Sequence, residues 1–185
     1  MLATIKENKH FFTVANFALF QVGWLVCVVA AAHHYEAVSV LSCAIIIGLH
    51  LSLLKEMKSE VKLILFSAAL GFIVDSLNIA FNVFQTTQPQ SLPLAPLWLV
   101  AMWMLFAICL RHSLAWLLGK PLLSGIFGAV CAPLAYYAGA SIGALQLPQN
   151  DILMSLSAIG LAWALVTPLL FVMANHFDRS TQSLN

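Results

Sequence analysis

Charge is what this sequence has least of. Of its 185 residues, 8 are Lys or Arg and 7 are Asp or Glu, together 8% of the chain, where a soluble domain carries about a quarter. A soluble surface needs ionic side chains to stay dissolved, which excludes water as the main solvent of this exterior. The few basic residues are balanced by acidic ones and make no cationic stripe of the kind a phosphate backbone requires, so nucleic acid is excluded as a partner. Cysteine is sparse as well: Cys27, Cys43, Cys109 and Cys131 lie in apolar runs without C-x-x-C or metal-ligand spacing. They read as small core residues, although similar depth makes a Cys27–Cys43 disulfide conceivable. G-x-S-x-G, H-E-x-x-H, Walker and Rossmann patterns are missing. Soluble-enzyme chemistry is not indicated, and neither a cofactor nor a metal is expected.

Apolar sequence is what the chain has in excess, with 62% of positions in the AVILMFWYC set. Stretches of about 20 apolar residues predict an all-α fold, a bundle of six transmembrane helices near residues 11–31, 37–54, 63–84, 95–116, 122–145 and 152–174. The gaps are short, polar and turn-forming, leaving a single transmembrane domain over 1–185. Lys6 and Lys9 precede the first helix, Lys55, Lys58 and Lys62 separate helices 2 and 3, Arg111 and Lys120 bracket the end of helix 4, and Arg179 follows helix 6. Six spans put every basic residue on one side, the cytoplasmic one by the positive-inside rule, with both termini there. Lys6 and Lys9 ahead of an apolar stretch ending in Ala30-Ala31-Ala32 imitate a cleaved signal peptide. That stretch exceeds the usual 7–15 residues and carries Asn16, Gln21 and Trp24, so retention as a helix is expected.

In lipid, helices associate through close packing and interhelical hydrogen bonds. Ser124, Gly128 and Ala132, then Gly139 and Gly143, form a small-residue ridge that marks helix 5 as the central, tightly packed helix; a flexible pore lining is the alternative. Trp98 and Trp116, near the two ends of helix 4, read as interfacial anchors. Trp103 and Tyr136 sit deeper, where the indole N–H and phenol O–H need partners, and are placed inside the bundle.

Polar side chains at membrane depth carry the functional reading, because each is costly unless paired. Asp75 falls about 18 Å along helix 3 at 1.5 Å per residue, near the bilayer centre. Gly71, Asp75, Asn78 and Asn82 share one face by their 4-3-4 spacing. Arg111, His112 and Ser113 interrupt an apolar run in helix 4, His50 of helix 2 reaches a similar depth, and Asn16 and Gln21 of helix 1 add donors and acceptors. Together these residues predict a polar cavity opening toward the cytoplasmic leaflet. In it Asp75 and His112 act as the catalytic pair, Arg111 holds a phosphate, and Asn16, Gln21, His50, Asn78, Ser113, Trp103 and Tyr136 bind substrate. The alternative is structural: a hydrogen-bonded Asp75, a snorkelling Arg111 and asparagines that join helices. His33, His34 and Glu36 crowd three donors into the first periplasmic turn and read as an interfacial loop rather than a closed metal site. The Lys55–Lys62 run of alternating charge reads as a solvated cytoplasmic loop attracted to anionic lipid.

One combination of residues is distinctive. Asn16-Phe17, Phe20-Gln21 and Trp24, then Asp75, then Pro96-Leu97-Trp98, Trp103 and Phe106, then His112 through Leu117, and Pro133 through Tyr136 with Gly139 and Gly143-Ala144 resemble an uncharacterised family of bacterial inner-membrane proteins, a domain of unknown function. The resemblance covers helices 1 to 5. Genes of that family often lie beside those for cyclopropane fatty acyl phospholipid synthase, which implies a part in modifying or protecting membrane lipids. Membrane lipids and peripheral lipid-modifying enzymes are then the expected partners. Three functions follow as expectations: a lipid-modifying enzyme or accessory, a small proton- or cation-coupled carrier or channel, and a scaffold for peripheral lipid enzymes.

Overall fold

The computed structural model describes residues 2–54, 57–87 and 92–182, with side chains from 11 to 179. Lys55 of the expected charged loop and the middle of the Gln85–Pro93 gap fall outside the described residues, as do the side chains of Lys6 and Lys9. Six α-helices are described: α1 (Leu2–Ala32), α2 (Glu36–Ser52), α3 (Lys58–Ala80), α4 (Leu97–Ala107), α5 (Pro121–Ile142) and α6 (Ile152–Gln182). Four segments are long and apolar enough to cross a membrane: Phe11–Ala32, α3, α5 and Ile152–Arg179. A two-residue antiparallel ladder, β1 (Gln85–Thr86) on β2 (Leu145–Gln146), ties the α3–α4 and α5–α6 connections together at one end of the bundle.

Local chemistry sets the helix ends. Pro121 opens α5, where its missing N–H costs nothing. Gly143 closes it with φ +98°, donating its N–H to the carbonyls of Gly139 and Ala140. The Glu36 carboxylate, expected in an interfacial loop, accepts from the Leu97 N–H and so caps the distant start of α4 (3.1 Å).

Helix 4 departs most from expectation. It stops at Ala107, and residues 108–114 run as consecutive turns before a single 3-10 turn over Ala115–Leu117. Hydropathy over 95–116 counts apolar side chains and is blind to which partners the backbone finds. Here Asn16 Nδ2 donates to the Ile108 carbonyl (3.1 Å), while Asn16 Oδ1 accepts from the Ser113 hydroxyl (2.7 Å) and backbone N–H (3.4 Å). Irregular backbone in an apolar setting is tolerated only where protein covers it, and Ile108, Cys109, Leu110 and Leu114 are all buried.

Helix 5 is tightly packed but not central. It packs chiefly against α6, whereas α4 is held among α1, α2 and α3. The α5–α6 contact follows a reciprocal pattern. Pro133 and Pro168 lie inside their helices, and each deprives the carbonyl four residues earlier of its helical hydrogen bond. A Cβ on Gly160 would come within 3.0 Å of the Ala129 carbonyl oxygen and 3.3 Å of the Pro133 ring. A Cβ on Gly125 would come within 3.0 Å of the Ala164 oxygen and 3.5 Å of the Pro168 ring. Each glycine thus lets its helix close on the bare carbonyl opposite. Trp98, expected at an interface, is buried, while Trp116 is half exposed.

Candidate functional site: two polar centres and a lateral groove

The inward face of α3 runs Glu60, Ile64, Ser67, Gly71, Asp75 and Asn78, all buried. Its two acids lie fifteen positions apart, roughly 22 Å at 1.5 Å per residue, and each anchors a separate centre.

Asp75, fully buried, anchors the first. The Trp103 indole N–H donates to Oδ2 (2.7 Å) and the Tyr136 hydroxyl to Oδ1 (2.6 Å). Charge-assisted bonds of this length offset the desolvation of a carboxylate. Gly71 makes room for this arrangement, since a Cβ there would overlap the Trp103 ring. Ser67 donates to the Trp103 carbonyl (2.8 Å), and Trp163 stacks on the indole at 4.3 Å between ring centroids. Trp103 is therefore fixed from three sides.

Glu60 anchors the second centre, at the opposite end of α3. Oε2 accepts from Arg111 NH1 (3.0 Å), and Oε1 lies 3.3 Å from both His50 Nε2 and His112 Nε2. Arg111 also donates to Ser59 Oγ (2.9 Å) and, through Nε and NH2, to the Ala174 carbonyl. One guanidinium thus links the start of α3, the turns after α4 and the late part of α6. The two imidazoles meet edge to face at 4.7 Å, with Phe12 against both.

Between α1, α4 and α5 lies a groove of about 630 Å³ that opens to the outside past Phe17, Cys131 and Leu134, exposed residues of its lining. Phe20, Trp24, Trp98, Phe106 and Phe127 line it, with Trp103, Tyr136 and Trp163 at its floor. It runs along α5 from Phe127 to Gly139, twelve positions or roughly 18 Å. Gln21 and Ser113 supply polar atoms, and the Thr167 hydroxyl on its wall is buried with no hydrogen-bond partner.

The predicted site residues thus divide. Asp75, Trp103 and Tyr136 meet in the first centre, where Asn78 is buried on the same face of α3. His50, Arg111 and His112 meet in the second, joined through Asn16 to Ser113. No contact joins Asp75 to His112 among the described residues, so the single cavity expected from sequence is two centres. Gln21 is exposed at the groove and belongs to neither. Asn82 lies beyond the end of α3 in the left-handed region (φ +58°), exposed, where its side chain accepts from Gln85 (2.9 Å). Glu60 was hidden in the charged run before helix 3. The signal that finds it is register: Glu60, Ile64, Ser67 and Gly71 are spaced 4-3-4, continuing the Asp75 face back by four turns. Cys27, Cys43 and Cys109 are buried, Cys131 is exposed, and all four thiols are free.

An all-α chain with apolar membrane-length helices outside and ion pairs and a carboxylate sealed within has the construction of a helical membrane protein. A family model described as protein of unknown function (DUF2878) matches residues 13–169, most of the chain, and the chain belongs to that family. No curated protein and no solved structure matches it.

Proposed function

We propose that this is a six-span protein of the bacterial inner membrane, both termini cytoplasmic, that draws the acyl chain of a membrane lipid into the groove between α1, α4 and α5 and serves the modification of that lipid. The groove is the observation that carries the proposal. Its volume falls within the range of about 300–1,000 Å³ usual for small-molecule sites. Its walls are aromatic and apolar, its length suits an extended chain, and it opens sideways, where lipid would enter. Each methylene buried there contributes about 0.8 kcal/mol relative to water, but far less relative to bilayer, so selectivity falls to shape and to Gln21 and Ser113.

Two observations support six spans. The 17 residues of α2 reach roughly 25 Å, close to the hydrocarbon thickness. The 11 residues of α4 reach only about 16 Å, but the buried turns after it carry the chain onward. Lys58 and Lys62 at the start of α3, Lys120 before α5 and Arg179 at the end of α6 gather at the Glu60 end, where lipid head groups and cytoplasm would meet them.

In this reading Asp75 is a positioning residue, holding Trp103 and Tyr136 in the groove floor. Arg111 braces helices, since a lipid phosphate would have to displace Ser59, Glu60 and the Ala174 carbonyl. A carrier that loads protons or cations on Asp75 is disfavoured by the engagement of both its oxygens. The experiment pairs mass spectrometry of lipid copurifying with the protein and lipid profiling of a deletion strain. Bound lipid that is lost on filling the groove by Ala135→Trp, at a lining residue of α5, together with a changed lipid profile, is expected. An unchanged profile and no lipid difference between Ala135→Trp and wild type would contradict the proposal.

A further inference from the structure

The Glu60 centre has the donor set of a metal site, and we propose that His50, Glu60 and His112 bind a divalent transition metal ion of the zinc and iron(II) class. One ligand atom from each of the three lies within 4.8 Å of the other two. His50 Nε2 and His112 Nε2 are each 3.3 Å from Glu60 Oε1. Ligands about 2.1 Å from a tetrahedral zinc ion stand roughly 3.4 Å from one another, so two edges of the polyhedron are already at coordination distance. His112 Nε2 is buried, and no aligned hydrogen bond uses it. Two imidazoles and one carboxylate suit zinc or iron(II) rather than magnesium or calcium, which favour all-oxygen sets.

The surroundings orient these ligands, as outer partners do in metal sites. Arg111 occupies Glu60 Oε2 and turns Oε1 toward the imidazoles. Asn16 Nδ2, itself a donor, lies 3.5 Å from His50 Nδ1 and so does not hold the metal-binding tautomer, whose proton is on Nδ1. Phe12 packs on both rings and shields the centre from one side. The ligands come from α2, α3 and the turns after α4, so their convergence depends on helix 4 breaking where it does. Three protein ligands leave a coordination position for water or substrate. Asn16, in contact with His50 and Ser113, connects the centre to the groove, although the metal site stands whether or not the groove takes lipid.

The test uses the full-length chain in detergent micelles with zinc alone and then cobalt(II) alone. After loading and desalting, wild type is expected to retain about one equivalent of zinc, and cobalt(II) to give the visible bands of a four-coordinate N/O site. His112→Ala and His50→Ala should each weaken zinc binding at least about tenfold, and zinc should raise the unfolding temperature of wild type but not of these variants. Because Glu60→Gln leaves Arg111 without its carboxylate and can fail to fold, the histidine variants carry the test, with thermal unfolding reporting their integrity. A His33→Ala/His34→Ala double variant should bind as wild type does. Folded wild type that retains less than a tenth of an equivalent, or histidine variants that bind zinc as wild type does, would overturn the site.

Discussion

Asp75 shows how a residue can be legible in the sequence while its partners are not. Its cost at depth announces it, and its neighbours on α3 follow from spacing. The side chains that answer it, Trp103 and Tyr136, come from two other helices, and no local pattern pairs them with it. Removing one donor leaves a carboxylate oxygen buried and unsatisfied. Tyr136→Phe is accordingly expected to destabilise the protein by about 1–3 kcal/mol, read as a lower unfolding temperature in detergent; an unchanged temperature would show that the bond contributes nothing. Arg111 makes the complementary case. Its fork grips Ser59, Glu60 and the Ala174 carbonyl together, a geometry an ammonium cannot reproduce. Arg111→Lys should lose about 1.5–3 kcal/mol for the charge-assisted bonds it cannot make, and a chemical denaturation series in mixed micelles would measure it. Glu60 was concealed by its lysine neighbours, because alternating charge resembles a solvated loop until helix register is imposed on it.

Among the elements, apolar stretches mark all six helices, yet the point at which α4 ends is not readable from them. No proline or glycine stands between Ala107 and Leu118; the break depends on Asn16, ninety-two residues from the carbonyl it satisfies. Asn16→Ala should therefore loosen the turns at 108–114 selectively, seen as faster amide exchange there with α5 and α6 unaffected. Uniform exchange across the chain would contradict that role. The α5–α6 pair, by contrast, is written in the sequence as Gly125-x7-Pro133 and Gly160-x7-Pro168. The small-residue ridge points to a close contact, but it does not name α6 as the partner. Pairing follows from matching each glycine to the carbonyl that the opposite proline leaves bare. Gly160→Leu is expected to cost about 1–3 kcal/mol through overpacking, measurable as a drop in unfolding temperature that Gly48→Leu, a glycine with open space around it, does not reproduce.

At the scale of the whole molecule, two consequences of the packing matter for function. Because α5 leans on α6 and barely touches α1, the bundle has a side opening rather than a closed centre, which hydropathy cannot foresee. Because Glu60 and Asp75 sit at different levels of one helix face, the polar residues divide into a linking centre at one end and a carboxylate sealed behind the groove floor. Composition and charge distribution carry the membrane assignment, while the groove exists only once three helices are placed. The most direct measurement is photocrosslinking with a phospholipid bearing a diazirine midway along its acyl chain, followed by peptide mapping. Labelling concentrated on Phe106, Cys131 and Trp163 inside the groove, and competed by unlabelled lipid, is the predicted result. Labelling confined to outward-facing positions such as Leu122, Leu153 and Leu165, each at least 77% exposed, would contradict it.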